Sequence, residues 1–347
     1  MGNGLASEGH ATLEIRFVAH GGAEADDHIT RHISMYIFKL VEWTMARLID
    51  GKAIAKALRV AIKREVAELT AQHGRPPALG LIMVGDRKDS AMYVRTKHIA
   101  CEKTGIRSEN FLFPEAASQE AVMAQIDALN RDPTIDGILV QLPLPSQLDA
   151  QRVIDHIVPT KDVDGLHPFN VGELAMRHRY PYLVPCTAKG IIALLDAEDV
   201  ALEGKTAVVL GRSNLVGNPI SLMLQKRNAT VIQCHSRTVD LPQYVRQADI
   251  VIAACGQPYL VQAEWLKPGA VVIDVGINFV ADEPQFHGVA NKDGFKIVGD
   301  VHFQDAQQVA GAITPVPGGV GPMTIAMLLH NVVAAYKRHT SPSSNSR

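Results

Sequence analysis

The chain has 347 residues, 47% hydrophobic and 20% charged, with a formal net charge of −2. That length suits two domains, and the apolar content excludes global disorder. The near-neutral charge argues against nucleic-acid and membrane-surface partners, and no apolar run reaches the ~18 residues that cross a bilayer.

Residues 1–44 stand apart, with glycines, scattered histidines and five acids between Glu8 and Asp27. They lack the apolar centre of a signal peptide, and their acids oppose an organellar transit peptide. His28 and His32 could share a helix face, but no third ligand has suitable spacing, so no metal site is expected. The stretch reads as an extension outside the fold, with Met45 as the functional start.

From Gly51 to Gln72, Ile54, Leu58, Ile62, Val66 and Leu69 recur at helical spacing, and Gly74 supplies a stop. Ala78–Val84 is expected as a strand. Ser90–Thr104 reads as a helix capped by Asp89 or Ser90 and closed by Gly105. Phe111–Phe113 is a weak strand, Ser118–Asn130 a helix, and Gly137–Val140 an apolar strand interrupted by Pro143 and Pro145. This alternation predicts an α/β domain with a largely parallel sheet, assigned to residues 45–185. The loop-rich segment Pro159–Pro185 carries the acidic turn Lys161-Asp162-Val163-Asp164-Gly165. Thr187 is expected to cap a helix reaching Asp196.

A second α/β unit is expected over residues 186–315, with strands Thr206–Leu210, Thr230–Cys234, Asp249–Ala253, Val271–Val275 and Lys296–Val298 and helices between most of them. That is the pattern of a doubly wound, Rossmann-like nucleotide-binding domain. The run Pro315-Val316-Pro317-Gly318-Gly319-Val320-Gly321-Pro322 leads into a last helix over residues 322–337, with Pro322 suited to its first turn. Residues 341–347 read as a disordered tail. The four cysteines, Cys101, Cys186, Cys234 and Cys255, form no C-x-x-C pair, so they read as reduced residues of a cytoplasmic protein.

The segment Ala207–Gly217 runs strand, glycine turn, helix. In a dinucleotide site the first glycine makes the tight turn and the last lets helix and strand pack closely, with pyrophosphate at the helix N-terminus. Gly211 and Gly217 fill those places, while Ser213 replaces the middle glycine and offers a hydroxyl to a phosphate oxygen. The plainer alternative is an ordinary strand–helix turn. An NAD site usually carries an acid on the next strand, but none occurs between Gly211 and Asp240. The strand ends instead in His235-Ser236-Arg237-Thr238. Arg212, Ser236 and Arg237 could bind a ribose 2′-phosphate, so NADP is expected over NAD.

Tyr93 and Lys97 are four residues apart on a predicted helix and share a face. Lys97 is a candidate acid/base, the alternative being a solvated lysine beside a half-buried tyrosine. Short-chain dehydrogenases use the same spacing, but there the pair follows the glycine turn, whereas here it precedes Gly211. Gln141 follows a strand end, where α/β clefts form, and its amide could hold Lys97. Asp164 could accept two hydrogen bonds from an aminopyrimidine edge, or simply form a turn. Gly318, Gly319 and Gly321 offer bare amides to a ligand, or a hinge before the last helix.

Taken in order, these pieces resemble bifunctional methylenetetrahydrofolate dehydrogenase/methenyltetrahydrofolate cyclohydrolase. The match runs from Leu48 to Lys337. It includes Val140-Gln141-Leu142-Pro143, the Lys161–Gly165 turn, Pro185-Cys186-Thr187 with Lys189-Gly190, Gly211-Arg212-Ser213, Gly276-Ile277-Asn278, Gly299-Asp300-Val301 and the Pro315–Pro322 run. The resemblance implies two α/β domains around a cleft, the last helix returning to the first domain, and a homodimer formed through the nucleotide domain. It implies tetrahydrofolate one-carbon derivatives as substrates and NADP as cofactor. Tyr93 would stack on the folate, Lys97 would act as general acid/base of the cyclohydrolase step, Gln141 would position Lys97, and Asp164 would bind the pterin. Val140, Leu142, Pro317, Gly318, Gly319, Val320 and Gly321 would line the folate site. Gly211, Arg212, Ser213, Ser236 and Ile277 would contact NADP, with Arg237 beside them. A dehydrogenase without cyclohydrolase activity and a catalytically silent ligand-binding regulator are the competing readings; Lys97 together with Gln141 argues against both.

Overall fold

The computed structural model describes residues 45–287 and 294–341, apart from the side chains of Lys88 and Asp89. The expected N-terminal extension, with His28 and His32, and the tail beyond Ser341 lie outside the described residues.

The fold begins with a two-residue strand, β1 (Arg47–Leu48), and the helix α1 (Gly51–His73). Asp50 caps α1 by accepting from the amides of Lys52 and Ala53 at 2.9 and 3.0 Å. Gly74, at φ 75°, closes it in the left-handed conformation that glycine adopts freely.

The first sheet has β2 (Ala78–Val84) at its centre. β3 (Arg107–Phe113) and β4 (Gly137–Val140) run parallel on either side of it. The helices α2 (Lys88–Thr104) and α3 (Gln119–Arg131) make the crossovers. All of β2 is buried, as a strand covered on both faces must be. Leu79, Leu81 and Met83 face a core shared with α1 and α2. Ala78, Ile82 and Val84 face the core that holds Val122, Ile126 and Leu129 of α3. Two expectations change. α2 starts at Lys88 with Arg87 at its cap and no side-chain cap bond, because Ser90 is buried inside the first turn. β3 extends back to Arg107, since its polar first half lies at a sheet edge and carries no apolar signal.

Beneath this sheet Asp136 has no solvent exposure. It takes two hydrogen bonds from Arg75, at 2.8 and 2.9 Å, one from the Ala78 amide at 2.9 Å, and lies 3.3 Å from His339 Nδ1. Burial raises its pKa, but these hydrogen bonds outweigh burial and leave the carboxyl below its ordinary value of 3.8. A depressed folded pKa means that the stabilisation is complete above pH 3.8 and disappears as pH falls through the lower folded value. Asp136→Ala leaves the buried Ala78 amide and the half-buried Arg75 guanidinium without their acceptor, so urea denaturation at pH 7 should show a loss of about 1–3 kcal/mol. A loss no larger than that of a surface substitution would contradict the ion pair's role.

The connection onward contains α4 (Ala150–Asp155) and α5 (Pro168–Ala175), and then α6 (Cys186–Ala197). α6 starts at Cys186 with Pro185 at the cap position, so Thr187 does not cap it. Lys161 is buried and donates to the carbonyls of Leu129, Asn130 and Asp132, at 2.9, 3.0 and 2.7 Å, where the end of α3 needs donors.

The second sheet contains β5 (Thr206–Leu210), β6 (Thr230–Cys234), β7 (Ile250–Ala253) and β8 (Val271–Asp274). The helices α7 (Gly217–Lys226) and α8 (Leu241–Val245) link successive strands. After it come the strands β9 (Asn278–Ala281) and β10 (Phe295–Val298), the helix α9 (Phe303–Ala306), β11 (Ala312–Ile313) and the helix α10 (Val320–Thr340). The sheet order is β1-β11-β8-β7-β5-β6, all parallel. β10 is not its fifth strand, contrary to expectation; it pairs antiparallel with β9 in a separate hairpin. Its alternation of Phe295 and Ile297 with Lys296, ion-paired to Asp282 at 2.6 Å, suits a half-exposed ribbon and not a fully covered strand. Residues 47–48, assigned by sequence to the first domain, instead form the edge of this second sheet. α10 begins at Val320, reaches beyond Lys337, and packs on α1 and α6. Gly190 permits the close approach to α6, since a Cβ there would meet Met323 Cβ at 3.0 Å. At its far end Tyr336 donates to the Arg75 carbonyl at 2.8 Å.

Candidate active site

Tyr93 and Lys97 lie one turn apart on α2, both half-buried. Gln141 directly follows β4, and its amide N–H still bonds the Ile82 carbonyl at 2.8 Å, so the strand delivers its side chain rigidly. Lys97 Nζ donates to Gln141 Oε1 at 2.9 Å, and Gln141 Nε2 donates to the Leu142 carbonyl at 2.7 Å. Both ends of the Gln141 amide are engaged, which fixes its oxygen toward the lysine.

These side chains open on a cavity of about 340 Å³. Asp164 lines it from the acidic turn, Val320 and Gly321 from the start of α10, and Val216, Val275 and Ile277 from the second sheet's side. A mostly apolar wall with a few convergent polar groups is what a flat heterocyclic substrate requires. The acidic turn divides its work. Asp162 is buried and accepts from the Gly165 and His167 amides and from Asn170 Nδ2, at 3.1, 2.8 and 3.0 Å. Burial pushes its pKa up, with the hydrogen bonds opposing. Asp162 is therefore committed to the turn, and Asp164 is the acid that meets the cavity.

Several expected substrate contacts fall elsewhere. Val140 packs in the core under the first sheet, because neighbouring strand residues face opposite ways and Gln141 takes the cavity side. Gly318 and Gly319 are buried against the start of α1: a Cβ on Gly51 would fall 1.8 Å from the Gly319 carbonyl oxygen, and one on Gly319 2.7 Å from Thr314 Cβ. These glycines serve close packing. Pro317 lines a separate cavity with Pro315 and Val316. Sequence reasoning missed Thr187 and Thr324, whose hydroxyls meet at 3.2 Å at the wall; residues brought together from two distant helices leave no local signal.

A second cavity, of about 390 Å³, lies over the C-terminal ends of β5 and β6 and is lined by Gly211, Arg212, Ser213 and Ser236. Gly211 has φ 131°, and a Cβ on it would sit 2.2 Å from the Ala254 carbonyl oxygen. A Cβ on Gly217 would sit 2.4 Å from the Gly211 carbonyl oxygen. Turn and helix therefore meet as a dinucleotide cradle demands. The Ser213 hydroxyl accepts from the amides of Val216 and Gly217 at 3.2 and 3.4 Å, which leaves its proton available to a phosphate. Arg237 is exposed and does not line the cavity; His235 and Thr238, not singled out from sequence, do. Ile277 lines the first cavity and not this one.

Two buried carboxylates brace the loops around this cleft. Asp300 accepts from the amides of Cys255, Gly256 and Gln257, at 2.7, 2.9 and 3.0 Å, and from Asn278 Nδ2 at 2.9 Å. Asp274 accepts from the amides of Gly276, Asp300 and Val301, each at 2.9 Å. Burial pushes the Asp274 carboxyl up to about 7, with those amides opposing. A Cβ on Gly276 or Gly299 would come within 2.4 or 1.9 Å of these acids. Among the described residues, no group of His, Cys, Asp or Glu is arranged to hold a metal ion.

Two family models match the chain. The tetrahydrofolate dehydrogenase/cyclohydrolase catalytic domain matches residues 49–164, and the NAD(P)-binding domain of the same family matches residues 185–340. The bifunctional protein FolD of Moorella thermoacetica is 52% identical, covering 84% of this chain and 99% of its own length. The bifunctional protein FolD 2 of Arabidopsis thaliana is 50% identical, covering 84% and 96%. The Trypanosoma brucei N5,N10-methylenetetrahydrofolate dehydrogenase-cyclohydrolase, solved with NADP cofactor and inhibitor, superposes with a TM-score of 0.80 at 44% identity, covering 85% of this chain and 98% of that one. With both halves of the chain matched and relatives of this identity aligned along nearly their whole length, the chain belongs to the tetrahydrofolate dehydrogenase/cyclohydrolase family.

Proposed function

We propose that this protein oxidises 5,10-methylenetetrahydrofolate to the methenyl form with NADP and hydrolyses the methenyl bridge to 10-formyltetrahydrofolate. The observation that carries the reading is the Lys97–Gln141 hydrogen bond, set in a cavity with Asp164 and flanked by a glycine cradle that side chains would fill. Asp164 accepts from the aminopyrimidine edge of the pterin, and Tyr93 provides the face on which the folate stacks. NADP held by the cradle of Gly211, Arg212, Ser213 and Ser236 would supply the hydride acceptor for the methylene bridge. Oxidation leaves a cation shared by two nitrogens, so that step needs alignment more than proton transfer. Hydration needs a base to take a proton from water and an acid to release the ring nitrogen. Lys97 serves as both, with Gln141 holding its nitrogen in place. Incubating the protein with methylenetetrahydrofolate and NADP, while following reduced cofactor and formyl product together, tests the reading; methenyl product accumulating without formyl product would remove the second half.

NADP is preferred over NAD because Arg212 and Ser236 line the nucleotide cavity with no carboxylate on the segment between Gly211 and Asp240. Arg212→Ala should raise the KM for NADP roughly 10- to 100-fold, the cost of one charge-assisted phosphate contact, and change that for NAD far less. Equal effects on the two cofactors would contradict the assignment. Ile277, on the wall of the substrate cavity, would contact the nicotinamide end of the cofactor, and Arg237 would contribute charge from outside the cleft.

The active form is a homodimer. The β9–β10 register places Phe279 beside Ile297 and Ala281 beside Phe295 on one face, with Phe279 and Phe295 48% and 45% exposed. An apolar strand pair of that kind is a surface that proteins cover. Sedimentation equilibrium should show twice the 37.6 kDa chain mass, and a monomer at all concentrations would refute it. A cytoplasmic location is supported by four unpaired cysteines; among the described residues no helix is long and apolar enough to cross a membrane. Cell fractionation tests the location.

A further inference from the structure

Cys186 and Lys189, two residues of the α6 motif, lead behind the wall of the substrate cavity to one fully buried side chain on α10, Asn331. Asn331 Nδ2 donates to the carbonyls of Val163 and Val184, both at 2.9 Å, and Lys189 Nζ donates to Asn331 Oδ1 at 2.7 Å. Lys189 also meets His330 Nδ1 at 2.9 Å. An asparagine amide has two N–H donors and one carbonyl acceptor. Only one orientation satisfies all three partners here, because two of them are carbonyls and the third is a cationic amine.

Of the carbonyls so held, one adjoins Asp164 and the other, that of Val184, packs against Gly165. Val163 precedes Asp164, and its carbonyl also accepts from the Cys186 thiol at 3.2 Å. The Asp164 carbonyl accepts from the Cys186 amide at 3.4 Å. Gly165 follows at φ 74°, so close to Val184 and Pro185 that a Cβ would fall 2.5 Å from backbone atoms of both. The backbone around Asp164 is thus clamped against the entry to α6, and Asn331 joins the two strands of the clamp. The Asp164 side chain stands on that frame in the cavity.

We propose that Asn331, oriented by Lys189, is a positioning residue that sets the Asp164 carboxylate for the substrate. The proposal rests on the reading of Asp164 as the acceptor of the pterin edge. Asn331→Asp is the informative variant, since it keeps the size and the acceptor for Lys189 but removes the N–H groups that hold Val163 and Val184. Its KM for methylenetetrahydrofolate should rise roughly tenfold, the loss of one well-made polar contact. KM for NADP should stay within about twofold, since no nucleotide contact changes. In an Asp164→Ala background the same substitution should add less than about twofold, because the residue being positioned is gone.

An unchanged folate KM, an equal rise in both KM values, or an undiminished effect in the Asp164→Ala background would each overturn the proposal in favour of a purely structural role. Asp164→Ala alone leaving the folate KM unchanged would sink the underlying reading together with the proposal, and that outcome is visible without touching Asn331. Should Asn331→Asp fail to fold, Lys189→Met removes the partner that orients the amide. It should raise the folate KM in the same direction by a smaller factor; no rise in a folded Lys189→Met protein would overturn the proposal.

Discussion

Lys97→Met should reduce hydrolysis of supplied methenyltetrahydrofolate by about 10²- to 10⁴-fold, the range for losing a general acid/base, while NADP-linked oxidation of the methylene substrate continues. The separation follows from what each step needs. Hydride transfer needs two rings held in contact and draws no proton from the protein. Water attack and ring opening both need a proton carrier at the bridge, and Lys97 is the ionisable group that α2 and Gln141 place together at the cavity. Methionine keeps the length and apolar stem of lysine, so Tyr93 on the same face should retain its place. Gln141→Leu should weaken hydrolysis less, since it releases the lysine without removing it. Equal loss of both activities in a folded Lys97→Met protein would mean that Lys97 supports binding and not proton transfer.

Gly211→Ala should give the opposite separation. The backbone there has φ 131°, and the new Cβ would be driven to 2.2 Å from the Ala254 carbonyl oxygen. Neither strain is relieved by rotating a side chain, so the turn must move, and with it Arg212, Ser213 and the start of α7. NADP-linked oxidation should fall more than about 100-fold, as expected when a cofactor contact surface shifts by the order of an ångström. Hydrolysis of methenyltetrahydrofolate supplied directly should persist, because the Lys97 side of the cavity is built on the other sheet, and its persistence doubles as proof of folding. Full loss of hydrolysis in a cooperatively folded Gly211→Ala protein would show that the two half-sites depend on each other more than their separate frames suggest.

Much of this was legible because the informative residues act locally. Gly211 and Gly217 bracket a turn whose close approach any side chain would block. Tyr93 and Lys97 share a helix face by spacing alone. Gln141 could be placed at a cleft because it ends an apolar strand. Strand alternation turns the side chain of Val140 away from its neighbour and into the core. Gly318 and Gly319 show the ambiguity of sequence, in which a glycine needed for close packing and one needed for a ligand look identical. The edge strand β1 and its neighbour β11 have two residues each, too few for any periodicity. The roles of Asp274, Asp300 and Asn331 depend on partners far along the chain, so no local pattern reveals them. His235 and Thr238 were passed over for the more conspicuous Arg237, although all three follow one strand.

The placement of β1 has a consequence for how the molecule can be divided. The described residues enter the second sheet at β1, cross to the first through α1, return through α6 to β5, and leave again after β11 to lay α10 across α1 and α6. The two halves are stitched, so no single cut yields two complete pieces. A fragment spanning residues 49–164, the whole region matched by the catalytic-domain model, would lack the covering helix α10. A fragment spanning residues 165–347 would lack the edge strand β1, leaving β11 with an unpaired margin. Splitting this protein for engineering therefore calls for transplanting a terminus and not merely choosing a linker.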